Sequence, residues 1–279
     1  LIKVNGKEIE FTQFPNGETN MNHLSFPDVT EQCGSSIIFK YENDGDLIKL
    51  LFVKEYLDTL VSEFHCFHLT LYHAPYGRMD RSENGSPFTL KYVADFINRM
   101  EFDGISIIEP HSDVTLKLIY DSIPDYTTKH LYRDVLKETD FNLETDYIMF
   151  PDKGARSRYK DILFPNILTG EKVRNFESGR IESLDIVGEI NYTPDKVLIM
   201  DDLSSFGGTF IMSAKKLREL GFEEVYLLVA HAENSVFKGD LFDHIDKLFT
   251  TDSMLTEQNN WENKRFESKL KIYKLEDLI

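Results

Sequence analysis

The chain reads as an α/β protein in two similar halves, each a mostly parallel sheet flanked by helices. Its 279 residues, 41% hydrophobic and 13% aromatic, are enough for one large or two ordinary domains with real cores. Short apolar runs of strand length alternate with segments of helical periodicity, the pattern of a parallel sheet covered on both sides. The alternation restarts after a polar stretch around Lys137 to Asp146.

The opening KVNGKEIEF alternates around Asn5-Gly6, a two-residue hairpin signal, and predicts a short β-ribbon. SSIIFKY reads as a buried strand. Leu47, Leu50, Leu51, Leu57, Leu60, Val61 and Phe64 recur at three- and four-residue steps, which predicts an amphipathic helix through about Phe64. HLTLYHA is the next strand, Thr89 to Met100 the next helix with Leu90, Val93, Ala94 and Ile97 on one face, and GISIIEP the strand after it. In the second half DYIMF, NILT, KVLIMDD, EVYLLVAH and DKLFTTD are strand candidates, and Thr209 to Leu220 is the clearest helix. The boundary is expected near residue 140, giving units 1–140 and 141–279 that share organisation without a close internal repeat.

Forty-eight acidic against thirty-one basic side chains give a formal charge of −17, which opposes nonspecific association with nucleic acid or an anionic membrane. Basic pairs interrupt this: Arg78 with Arg81, Arg156 with Arg158, and Lys172 with Arg174, any of which alone is compatible with a solvated surface. No apolar run of about 18 residues occurs, and LIKVNGKEIEF lacks a signal-peptide layout, so a soluble cytoplasmic protein is expected. Cys33 and Cys66 have no Cys or His at zinc-ligand spacing and imply no disulfide framework.

VLIMDDLSSFGGTF, Val197 to Phe210, runs from a strand into a loop and then a helix. In an open parallel sheet ligands bind beyond the carboxyl ends of the strands. Gly207 and Gly208 permit close backbone approach, and the helix start presents unpaired N–H donors, so the corner suits a phosphate. Asp201 and Asp202 would repel that phosphate and are better suited to sugar hydroxyls or a divalent cation. A Gly-Gly turn alone is often no more than the joint of a strand–helix unit. The full order of strand, Asp-Asp, four residues, Gly-Gly-Thr and helix is much rarer. No G-x-x-x-x-G-K-[ST] occurs.

This stretch resembles the phosphoribosyl-pyrophosphate loop of type I phosphoribosyltransferases, and other segments narrow the resemblance to the ribose-phosphate diphosphokinases. FPNGE at Phe14 to Glu18 is similar to that family's adenine-contacting loop, and APYGRMDR at Ala74 to Arg81 to its ATP-binding Tyr-x-Arg-Gln-Asp-Arg segment. EPHSD matches its Asp-Leu-His element, PDKGARSR its Pro-Asp-x-Gly segment, and TTDS a late strand end, all in family order. The resemblance implies two tandem phosphoribosyltransferase-like domains. It also implies Mg2+-dependent transfer of the β,γ-diphosphoryl group of ATP to the C1 hydroxyl of ribose 5-phosphate, with release of AMP.

Carried over residue by residue, the resemblance places Phe14, Asn16, Gly17 and Glu18 near adenine. Arg78, Met79, Asp80, Arg81 and His111 fall on the ATP side, with Met79 where the family usually has Gln. His111 and Asp152 align with the magnesium-associated His and Asp. Of the mobile catalytic loop's Lys-Arg-Arg, Lys172 and Arg174 remain and Val173 replaces the middle Arg. Two cations one residue apart on an extended segment point the same way and reach one diphosphoryl group. Asp201, Asp202, Ser204, Ser205, Phe206, Gly207, Gly208 and Thr209 form the sugar-phosphate loop, with Ser205 replacing an Asp and Phe206 a phosphate-binding Thr.

Three readings of Phe206 stay open: a ribose 5-phosphate enzyme gripping through backbone N–H groups alone, an aromatic platform for a larger acceptor such as ADP-ribose, or an inward-turned packing residue. The acceptor decides between nucleotide biosynthesis and NAD metabolism. The lead before Phe14 is shorter than is usual in the family, whose members are commonly rings of dimers with FPNGE reaching a neighbour's ATP site, so a homo-oligomer is expected. Two other functions compete. A phosphoribosyltransferase has no need of FPNGE or APYGRMDR, and an inactive regulatory paralogue predicts loss of Lys172 and Arg174.

Overall fold

The computed structural model describes residues 1–30, 33–83, 85–174, 181–190, 195–256 and 268–279, with backbone alone at 172–174 and 181–183. The chain divides into two compact units, Leu1–Tyr126 and Thr127–Ile279.

In the first unit β1 (Ile2–Val4) and β2 (Lys7–Glu8) form the expected ribbon. Asn5 and Gly6 take φ of 47° and 78°, the paired left-handed conformation of a type I′ turn. A second hairpin, β3 (Phe11–Gln13) with β4 (Thr19–Met21), is a sheet of its own. Then come β5 (Gly34–Phe39), α1 (Gly45–Leu60), β6 (Cys66–Leu71), α2 (Thr89–Asn98), β7 (Gly104–Ile108), α3 (Asp113–Leu118) and β8 (Ser122–Asp125). The main sheet has the order β2-β1-β5-β6-β7-β8, parallel from β5 to β8. The helix α1 stops at Leu60 rather than near Phe64, because β-branched Val61 turns extended, and Phe64 is left 83% exposed.

Ile37, Phe39, Phe67, Leu69, Leu71, Ile105 and Ile107 pack from one face of this sheet against Leu50, Val53 and Leu57 of α1 and Ala94 and Ile97 of α2. The alternating residues Ser36, His68, Thr70 and Ser106 are exposed or half-buried. This unit therefore departs from the expectation of a sheet covered on both sides, and the polar alternate positions make that second face compatible with water.

The second unit contains α4 (Thr128–Glu138), β9 (Tyr147–Phe150), α5 (Lys153–Arg158), β10 (Ile167–Arg174), β11 (Ile181–Val187), β12 (Lys196–Ser204), α6 (Gly208–Glu219), β13 (Glu224–Ala232), α7 (Leu241–His244), β14 (Lys247–Thr251) and β15 (Leu270–Tyr273). The sheet order is β11-β10-β9-β12-β13-β14-β15, parallel except for the β10–β11 pair. Here both faces are covered, and the unbroken apolar runs sort themselves by alternation. Val197, Ile199, Val225 and Leu227 pack on Phe210, Ala214 and Leu217 of α6. Leu198, Met200, Leu228 and Phe249 pack on the other face with Leu131 and Val135 of α4 and Ala155 of α5.

That packing explains why the chain divides ahead of residue 140. Besides burying Leu131 and Val135, α4 is tied to the second sheet by Lys271–Asp134 at 2.8 Å and Lys247–Glu138 at 2.7 Å. The short strand expected at NILT extends through Arg174, so Lys172 and Arg174, expected on a loop, have extended backbone within an antiparallel hairpin. Lys172 lies opposite Leu184 and Arg174 opposite Ile181, with a register shift between Val173 and Arg174. Among the described residues no helix is long and apolar enough to cross a membrane.

Candidate active site

In the second unit β9 is the direct neighbour of β12. The helix following β9 therefore stands beside the carboxyl end of β12, where the apolar run gives way to Asp201 and Asp202. Arg158, the last residue of α5, places Nη1 3.1 Å from Oδ1 of both aspartates. The Asp201 carboxylate also accepts from the Asp202 backbone N–H at 2.9 Å. Side-chain exposures of 10% for Arg158, 17% for Asp201 and 5% for Asp202 make this a largely desolvated triad. Burial, with the neighbouring Asp202 carboxylate, holds the Asp201 carboxyl well above the usual carboxylate range, and the Arg158 guanidinium opposes that shift. Arg158 is a residue that sequence reading left as a surface cation. The signal that would have found it is the adjacency of β9 and β12, a fact of strand order.

Beyond β12 the chain turns at Gly207, whose φ of 81° is left-handed and where a Cβ would meet Leu241 atoms at 3.0–3.1 Å. Glycine is required there on both counts. Gly208 and Thr209 begin α6, and its N-cap, Gly207, has no side chain to cap the first turn, a helix start of the kind that suits an anion. Ser204 is buried, Ser205 half-buried, and Phe206 is 59% exposed. That exposure removes the inward-packing reading of Phe206. The loop is backed by Gly239, where a Cβ would lie 3.0 Å from the Phe206 carbonyl oxygen.

The TTDS segment braces this rim from behind. Thr251 Oγ1 donates to the Ala230 carbonyl at 2.6 Å, and Ser253 Oγ lies 2.8 Å from His231 Nδ1. Asp152 caps α5, accepting from the Ala155 N–H at 3.0 Å, and it is close enough to Asp201 to raise its pKa further. The Lys172 and Arg174 side chains lie outside the described residues.

The first unit brings together two of its three predicted segments. Ser112 Oγ donates to Asp80 Oδ2 at 2.6 Å, and a Cβ at Gly77 would lie 3.8 Å from His111 Cβ. The Ala74–Arg81 loop thus rests on the loop that carries His111. Arg78 and Met79 are exposed, and Arg81 Nε lies 3.1 Å from Glu83. Phe14 to Glu18 stands apart at the tip of the β3–β4 hairpin, where Asn16 Nδ2 donates to Glu18 Oε2 at 2.8 Å and Phe14 is 53% exposed.

Among the described residues no group of three or more His, Cys, Asp or Glu side chains is arranged to hold a metal ion. Asp152 and His111 each offer a single ligand. The Asp152 carboxylate suits Mg2+, which characteristically keeps waters and takes one or two carboxylates beside substrate phosphates.

The fold is that of two phosphoribosyltransferase-like domains, each with a mostly parallel sheet and flanking helices. No family model matches the chain. It is similar to the ribose-phosphate pyrophosphokinase of Thermococcus kodakarensis, 24% identical over 228 residues covering 80% of this chain and 77% of that protein. It is also similar to the ribose-phosphate pyrophosphokinase of Pyrococcus furiosus, 26% identical over 259 residues covering 89% and 86%. Its fold matches the crystal structure of phosphoribosylpyrophosphate synthetase from Mycobacterium smegmatis with a TM-score of 0.76, at 18% identity, across 98% of this chain and 87% of that one. The chain is similar in sequence to ribose-phosphate pyrophosphokinases and shares the fold of a phosphoribosylpyrophosphate synthetase.

Proposed function

We propose that the protein transfers the β,γ-diphosphoryl group of ATP to the anomeric C1 hydroxyl of a ribose 5-phosphoryl compound and releases AMP. The C1 oxygen bonds to the β-phosphorus, the bond from that phosphorus to the α,β-bridging oxygen breaks, AMP leaves with that oxygen, and the hydroxyl proton passes to solvent. The observation that carries this reading is the pairing, at one strand end, of a largely buried carboxylate pair with a helix start whose N-cap is a glycine. The carboxylates accept from sugar hydroxyls while the α6 amides take the 5-phosphate.

Each residue's part follows from its charge and place. Arg158 orients both carboxylates and opposes the upward pKa shift that burial and the neighbouring charge impose on Asp201. Arg78, with Asp80 and Arg81 beside it, serves the ATP phosphates, and Phe14, Asn16, Gly17 and Glu18 serve the adenine. Lys172 and Arg174 neutralise the migrating diphosphoryl group. His111 and Asp152 are each candidates to hold Mg2+, which would supply further charge neutralisation when bound with the nucleotide. The exposed hairpin tip suits a neighbouring subunit's nucleotide, so the active form is a homo-oligomer.

The acceptor has two readings. Ribose 5-phosphate follows from the relatives' name. The exposed Phe206 face favours an acceptor whose 5-phosphate bears an adenosine phosphate, ADP-ribose, because an aromatic ring in water at a phosphate loop is suited to stacking a base. Phe206→Thr restores a hydroxyl to the loop and is expected to shift the ratio of kcat/KM toward ribose 5-phosphate by about tenfold, the order of a single stacking contact. An unchanged ratio, measured as AMP release with each acceptor, would take Phe206 out of acceptor choice. AMP release also separates the diphosphokinase from a phosphoribosyltransferase and from an inactive paralogue.

A further inference from the structure

Asp44 lies outside every segment given a role above. One oxygen of its carboxylate, Oδ1, accepts from the Tyr41 hydroxyl at 2.6 Å and from the Tyr76 hydroxyl at 2.6 Å. Tyr41 closely follows β5, Asp44 immediately precedes α1, and Tyr76 belongs to the loop after β6, the parallel neighbour of β5. The bridge therefore ties together two adjacent loops at the carboxyl edge of the sheet, where an open α/β sheet binds its ligands.

What it ties down is a strained loop. Tyr76 has φ of 61°, a left-handed conformation unfavourable for a side chain bearing a Cβ, and such residues persist only where their surroundings hold them. Met79 N–H donates back to the Tyr76 carbonyl at 2.8 Å, and Gly77 N–H to the Ala74 carbonyl at 3.1 Å. Three residues, Gly77 to Met79, are then spanned between two side-chain anchors: Tyr76 on Asp44, and Asp80 on Ser112 at 2.6 Å. Arg78 sits in the middle of that span. The two hydroxyls hold the Asp44 carboxyl below its usual range, and burial together with the Asp44 bond pushes the Tyr41 phenol up, so at neutral pH the carboxylate is the acceptor and both phenols are donors.

We propose that Asp44 is a positioning residue for the ATP-phosphate loop, its bridge between Tyr41 and Tyr76 fixing the strained backbone that presents Arg78. This rests on the assignment of that loop to ATP. Calorimetric titration of the full chain with Mg-ATP, without acceptor, tests it. Asp44→Ala is expected to weaken ATP binding about tenfold, the effect of losing hydrogen bonds to a charged group, and to leave KM for the acceptor unchanged. Asp44→Asn, which keeps an oxygen acceptor, is expected to recover most of the affinity, and Tyr76→Phe to lose about threefold. A merely structural role would lower the melting temperature of Asp44→Ala while ATP affinity stayed at the unmodified value, and that result overturns the proposal. If Asp44→Ala does not fold, Tyr76→Phe decides: affinity equal to that of the unmodified protein overturns it. Failure of the unmodified protein to bind ATP would remove the ATP assignment and this proposal together, whereas normal binding by protein and variants alike removes only the proposal.

Discussion

Lys172→Ala is expected to lower turnover by about 10²–10³-fold, the usual result of deleting a group that stabilises developing charge, while ATP binding measured without acceptor stays within about threefold. The split follows from the chemistry. In phosphoryl transfer the protein does little bonding, and the groups that neutralise the migrating phosphates act mainly in the transition state. The strand β10 presents residues 172–174 along extended backbone beside β11, so removing one side chain leaves the hairpin's ladder intact. Single-turnover AMP release, with calorimetry for ATP, checks both halves of the prediction. An unchanged rate would take Lys172 out of the mechanism.

The second large effect joins activity to stability. Asp201→Asn keeps an oxygen for the Asp202 N–H and for Arg158 but removes one of two largely buried like charges. Loss of a charge-assisted bond to a sugar hydroxyl is expected to cost kcat/KM for the acceptor about 10- to 100-fold. The same change is expected to stabilise the ligand-free protein at neutral pH by about 1 kcal/mol, roughly 2–4 °C in Tm for a unit of this size. The sign follows from linkage. The Asp201 pKa is raised on folding, so the folded state binds the proton more tightly than the unfolded one. The favourable contribution of this group is complete below its unfolded value and is lost as pH rises through its folded value. Asp201→Asn therefore gains stability above that folded pKa, and the gain disappears as pH falls below it, where Asp201 is already neutral. A melting series across pH in which the variant is less stable throughout would contradict the charge-repulsion account of the site.

The sequence carried the second unit further than the first. In VLIMDD, Val197 and Ile199 face α6 while Leu198 and Met200 face α4 and α5, so the apolar run correctly implied a strand covered on both sides. In the first unit Ser36, His68 and Ser106 were present to be read as one polar face, but the same segments also look like buried strands because Ile37, Phe39, Leu69 and Leu71 dominate them. The polar composition around Lys137 to Asp146 does not reveal that Leu131 and Val135 of α4 reach the second core.

For the candidate site, the placement of Asp-Asp and Gly-Gly was legible because it is local: a strand end, a left-handed turn and a helix start lie within one segment. Arg158 and Asp44 were not, since each acts across strand neighbours that only topology brings together. Arg158 reaches Asp201 across the β9–β12 pair, and Asp44 reaches Tyr76 across the β5–β6 pair. Ser205 and Phe206 depart from the family pattern within this loop, and sequence alone does not separate an exposed ring from a packed one.

The most direct test incubates the purified chain with ATP, Mg2+ and ribose 5-phosphate or ADP-ribose, and follows the phosphorus-containing products by mass and by phosphorus NMR. The expected result is AMP in equal amount with an acceptor carrying an intact diphosphate on C1. ADP with a singly phosphorylated sugar, or unchanged ATP with both acceptors, would contradict it.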